Sequence, residues 1–109
     1  MAEFTPLEHE WVQNIIHMMK YILDLDVNVT YTTDLKHFNR YTTGSKTTKS
    51  DMGSADTMYG YIWLNVEEHS KRPISELLNT IIHEMLHIKY PEESEKFIIN
   101  ETHKYVPIQ

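Results

Sequence analysis

Between residues 74 and 90 the chain repeats apolar side chains at α-helical spacing, and five consecutive positions inside that stretch, His83-Glu84-Met85-Leu86-His87, constrain what the rest must build around. Leu77, Leu78, Ile81, Ile82, Met85, Leu86 and Ile88 fall into one stripe when successive residues are set about 100° apart. His83 and His87 lie one turn above each other, on the side facing away from that stripe. Two imidazoles so placed can reach one metal ion. Glu84, next to the first, can take a proton from a water held there. Pro91 then stops the helix about one turn after His87 and sends the chain back, so that a second short helix can return beside the site.

A catalytic zinc takes three protein ligands and one water, so a third ligand has to come from elsewhere. His103, near the end of the returning segment 92–105, offers a neutral imidazole, and that segment is long enough for about three helical turns. Glu93 competes because it is closer in sequence, but it sits in a Pro-Glu-Glu-Ser stretch that reads as a helix start, where a carboxylate is stabilised by the helix dipole alone. The residues alone leave both open as the third ligand.

The chain's 109 residues leave room for one domain with one modest core, spanning 1–109. No apolar run approaches the length that crosses a bilayer, and the first residues lack a basic region followed by an apolar one, so neither a membrane span nor a secretory signal is expected. The sequence has no cysteine, which removes disulfides and thiol nucleophiles and fits a cytoplasmic location. A formal charge of −6, with Lys46, Lys49, Lys71 and Arg72 scattered, disfavours nucleic acid as a partner and favours a peptide or an unfolded protein.

The first helix is signalled by Thr5 as N-cap, Pro6 at the first helical position and Glu8 closing a capping box, and it should run to about Asp24. Leu7, Trp11, Ile15, Met18 and Ile22 mark its expected buried stripe, with His9 and His17 exposed. Residues 26–33 alternate Val27, Val29 and Tyr31 against Asn28, Thr30 and Thr32, as a half-buried strand does. A further short strand is expected at 38–42 and a loop or long hairpin connection at 42–57. Residues 58–66 are the most strand-like, with Tyr59, Tyr61 and Trp63 opposite Ile62, Leu64 and Val66; at a sheet edge this strand could pair with an extended peptide. Pro73 or Ser75 opens the metal-motif helix. The sum is an α+β fold: a long N-terminal helix, a small twisted sheet of about three strands, the motif helix and a short C-terminal returning helix.

That order, with the strand end Ile62-Trp63-Leu64-Asn65 followed by His83-Glu84-Met85-Leu86-His87, resembles the minigluzincins over nearly the whole chain. These are very small soluble metallopeptidases of the gluzincin group, similar to the catalytic domains of integral membrane peptidases. The resemblance implies zinc as cofactor, His83 and His87 as ligands, Glu84 as general base and His103 as third ligand, in place of the Glu usual among gluzincins. It also implies a latent form in which the C-terminal segment closes the cleft, in a monomer or a C-terminally swapped dimer. The run from His87 to Ser94 also looks like SprT-type metallopeptidases, in which a His falls where Glu93 stands here.

The expected activity is therefore that of a zinc endopeptidase acting through a zinc-bound water with Glu84 as general base, with Tyr90 and Tyr105 as candidate donors to the developing oxyanion. Val106-Pro107-Ile108-Gln109 cannot continue a helix comfortably and suits an extended tail. The alternative is a zinc-stabilised peptide-binding or regulatory domain without turnover, whose metal would be closed by four protein ligands. A protease acting on DNA-bound proteins is a weaker third reading, opposed by the acidic balance.

Overall fold

The computed structural model describes residues 3–42 and 47–106. Helix α1 (Pro6–Leu23) begins as the capping signals require: the Glu8 N–H donates to Thr5 Oγ1 and the Thr5 N–H to Glu8 Oε1, satisfying two donors that a helix start otherwise strands. It ends at Asp24, whose left-handed backbone (φ 54°) closes the last turn. Its buried face, however, consists of Val12, Ile16, Met19 and Leu23. The expected stripe lies one residue round: Leu7, Met18 and Ile22 are exposed, and Trp11 and Ile15 only border the core. Both sets satisfy the helical period, so packing against the motif helix chooses between them.

Strand β1 (Thr30–Thr32) is shorter than the alternating stretch that contains it. The next element is a helix, α2 (Leu35–Tyr41), where a strand was expected at 38–42. Asp34 caps it by accepting the His37 N–H, and Phe38 is the one side chain it fully buries; so polar a segment supports one inward residue per turn and not an alternating face. Strand β2 (Gly53–Asp56) lies inside the expected loop, whose residues 43–46 fall outside the described residues. Strand β3 (Tyr61–Leu64) is the central one: the order is β1-β3-β2, with β1 parallel and β2 antiparallel to it. Ile62, Trp63 and Leu64 are all buried, because a central strand is covered on both faces.

Helix α3 (Val66–His69), capped by Asn65, leads into the motif helix α4 (Ile74–Lys89), which starts after Pro73. The chain turns at Pro91 into α5 (Glu95–Thr102), capped by Ser94. One core joins Val12, Ile16 and Met19 of α1, Ile62 and Leu64 of β3, Ile81, Met85 and Leu86 of α4, and Ile98 of α5. The fold is α+β, as the patterning implies, and no helix among the described residues is long and apolar enough to cross a membrane.

Candidate metal centre

Helix α4 buries Leu77, Ile81, Ile82, Met85 and Leu86 and leaves His83 and His87 half-buried on the flank that meets α5 and β2. Their rings sit edge to face with centroids 4.9 Å apart, and the two Nε2 atoms are 3.2 Å apart. The turn at Pro91 is short: Tyr90 closes α4 through its N–H to Leu86 O, Glu93 donates its N–H to Tyr90 O, and Ser94 caps α5. The first residue of α5, Glu95, therefore arrives beside the two imidazoles. Its Oε1 lies 2.6 Å from His83 Nε2 and its Oε2 3.1 Å from His87 Nε2.

Three donor atoms from His83, His87 and Glu95 lie within 4.8 Å of one another. A tetrahedral zinc with arms of about 2.0–2.1 Å separates its ligand atoms by about 3.3 Å, so the His–His spacing fits as it stands and the carboxylate needs only a small rotation. Two imidazoles and one carboxylate are also a donor set that zinc favours and that leaves a fourth position for water.

His103, the favoured third ligand from the sequence, is not part of this group. It caps the C-terminus of α5 and is exposed, eight residues beyond Glu95 and so about 12 Å further along the helix axis. Glu93, the competitor, is exposed in the turn and its carboxylate is not among the grouped donors either. The signal that would have found Glu95 is Ser94: read as the N-cap, it makes Glu95 the first helical residue and hence the carboxylate nearest the preceding helix. Neither Tyr90 nor Tyr105 lines the cleft; Tyr90 packs against Phe97 instead.

Glu84 is only 8% exposed and has no hydrogen-bond partner among the described residues, so its carboxyl group lacks the partner that burial ordinarily demands. Burial, followed by the nearby charges of Glu95 and Asp51, pushes its carboxyl up to about 8. Burial also lowers the His83 pKa, against the pull of the Glu95 carboxylate, which keeps the ring in the neutral form a metal requires. Strand β2 closes the site from above. A Cβ on Gly53 would stand 2.7 Å from the Thr80 methyl and 3.4 Å from Glu84 Oε2, so only glycine lets the strand approach this closely.

The cleft between β2 and α4 has a volume of about 460 Å³, with His83, Glu84, His87 and Glu95 on one side and Gly53, Ser54, Ala55 and Thr57 on the other. Strand β2 is an edge strand, and it, not β3, lines the cleft beside the motif helix. Asn65 donates its N–H to Met52 O, so the alternation of an antiparallel ladder places hydrogen-bonded pairs at 54/63 and 56/61. The N–H and C=O groups of Gly53 and Ala55 then face outward, along the cleft.

Comparison with models of known protein families, with curated proteins and with solved structures gives no match to this chain.

Proposed function

We propose that the chain is a zinc-dependent endopeptidase of the minigluzincin type, with His83, His87 and Glu95 as ligands and Glu84 as general base. The observation that carries this reading is the convergence of three donors on an open cleft beside a buried, unpartnered carboxyl group. Zinc bound there supplies Lewis acidity that activates a water and polarises the scissile carbonyl. Glu84 accepts the proton of that water and delivers it to the leaving amine. The raised affinity of Glu84 for a proton suits the delivery step, and a cation beside it draws its pKa back towards the range of a base. The outward backbone groups of Gly53 and Ala55 hold an extended peptide as an added strand, which fixes the scissile bond over the donors.

A glutamate as third ligand is the arrangement usual among gluzincins, so the proposed site departs from the three-His form and remains within the wider group. A domain that uses zinc only for folding would close it with four protein ligands. Three donors beside an open cleft, among the described residues, favour turnover.

The test is hydrolysis of unfolded protein and peptides by the zinc-loaded chain and by Glu84→Gln. Retained zinc with a loss of at least about 100-fold in kcat is expected for a general base; equal rates would remove Glu84 from the mechanism. We further propose the latent form. Val106 is buried in the core, so trimming from that residue, as the tail pattern first suggests, would remove a packed side chain. Pro107 to Gln109 lie outside the described residues. Removal of these three residues should raise activity if the tail occupies the cleft, and unchanged activity would exclude autoinhibition by it.

A further inference from the structure

Beside the metal donors a second, smaller cavity of about 240 Å³ opens past Glu84, between Asp51 and Met52 on the rim and Asn79 and Thr80 one turn before His83. We infer that this cavity binds a cationic side chain, lysine or arginine, of the substrate residue that directly follows the scissile bond. The inference rests on the metallopeptidase reading above and names the substrate class of that site.

The size comes first. Pockets for drug-sized ligands start at about 300 Å³, so a cavity below that suits a single side chain. It shares His83, Glu84, Asp51 and Gly53 with the main cleft, which makes it a side pocket of the same groove.

The position follows from strand direction. Strand β2 runs from Gly53, at the small cavity, to Asp56, with Thr57 at the far end of the main cleft. A peptide added antiparallel to it, the slightly more stable pairing, enters over Thr57 and leaves over Gly53. The residue presented to the small cavity is then on the C-terminal side of the bond over the metal donors.

The charge decides the class. Two carboxyl groups, Asp51 and Glu84, line the small cavity, and no Lys or Arg does so among the described residues. Asp51 Oδ2 accepts the Thr48 N–H at 3.0 Å, which holds the side chain and leaves Oδ1 for a ligand. Glu84, more than nine-tenths buried and without a partner, opens onto the same space. A leucine there would desolvate polar groups with no return, and an acidic side chain would meet like charge. A lysine or arginine can lay its apolar stem along Met52 and the Thr80 methyl and carry its charge to Asp51.

The experiment uses the zinc-loaded full chain and peptides identical except for Lys, Arg, Leu or Glu after the scissile bond, with cleavage sites mapped by mass spectrometry. Lys and Arg should exceed Leu in kcat/KM by about fivefold, the size a solvent-reachable ion pair supports, with Glu lowest. In Asp51→Asn the Lys-to-Leu ratio should fall towards one, and in Asp51→Lys the Glu peptide should overtake the Lys peptide. Each ratio is taken within one protein, so a loss of active fraction cancels. Cleavage with no basic preference in the wild type, or a preference that survives Asp51→Asn, would overturn the side-pocket assignment alone. Failure of both the full chain and the chain lacking its last three residues to cleave any peptide would overturn the peptidase reading and this inference with it.

Discussion

The residues of the proposed site divide by how far apart in sequence they act. His83, Glu84 and His87 are local: their relation is set by one helical turn, and the helix is secured by an apolar stripe and a stop at Pro91. The third donor depends on where a turn delivers the chain, and there the sequence pointed to His103, which ends about 12 Å beyond Glu95 along α5. The consequence is testable at single residues. Glu95→Ala should weaken zinc binding by more than about 100-fold, beyond the 10–100-fold typical of outer partners, whereas His103→Ala should leave it unchanged. Competition with a chromophoric chelator measures both, and a loss confined to His103→Ala would restore the three-His site.

At the scale of elements, the capping of α1 was legible in the sequence and its rotation was not. Thr5, Pro6 and Glu8 fixed the start of α1 because each satisfies a specific backbone group, while the apolar residues of α1 are numerous enough to form two overlapping stripes. Only the partner helix selects Val12, Ile16, Met19 and Leu23 for burial. Ile16→Ala should therefore cost about 2–5 kcal/mol, as buried aliphatic truncations do. Ile22→Ala, on the exposed stripe, should change stability by no more than about 0.5 kcal/mol. Urea midpoints of the two variants decide it, and equal losses would mean that both stripes are covered. The sheet shows the same limit. Of the expected strand at 58–66 only Tyr61–Leu64 is strand, with the turn before it taking the first residues and Val66 opening α3, and an alternating pattern does not say whether a strand is central or at an edge. The edge role fell to Gly53–Asp56, a segment too small and polar to look like a strand, whose glycine is what allows it to lie against α4.

Across the whole molecule the position of β2, and so the cleft, depends on a clamp remote from the metal donors. Asn65 accepts the Glu68 N–H as the cap of α3, and its side-chain amide donates to Lys49 O and Asp51 O, tying the approach to β2 to the start of α3. His69, at the end of α3, is 5% exposed, and neither of its ring nitrogens has a hydrogen-bond partner among the described residues. Burial lowers its pKa below the usual 6.5, with Glu76 and the nearby Met52 backbone opposing the shift and Arg72 adding to it. The native state thus holds His69 neutral, and above about pH 6.5 the ring is neutral in the unfolded chain as well, so it adds no pH dependence there. Below that value the unfolded chain takes up a proton that the native protein refuses. Stability then falls with pH, by up to about 1.4 kcal/mol per pH unit for one proton, until native His69 itself protonates. His69→Met removes this titration and keeps a large apolar body in the site. The other titrating groups are common to both proteins, so the difference between their urea midpoints isolates His69. Between pH 7.5 and 5.5 the wild type should lose more stability than His69→Met, and parallel pH profiles would show that the ring finds a proton acceptor when it charges.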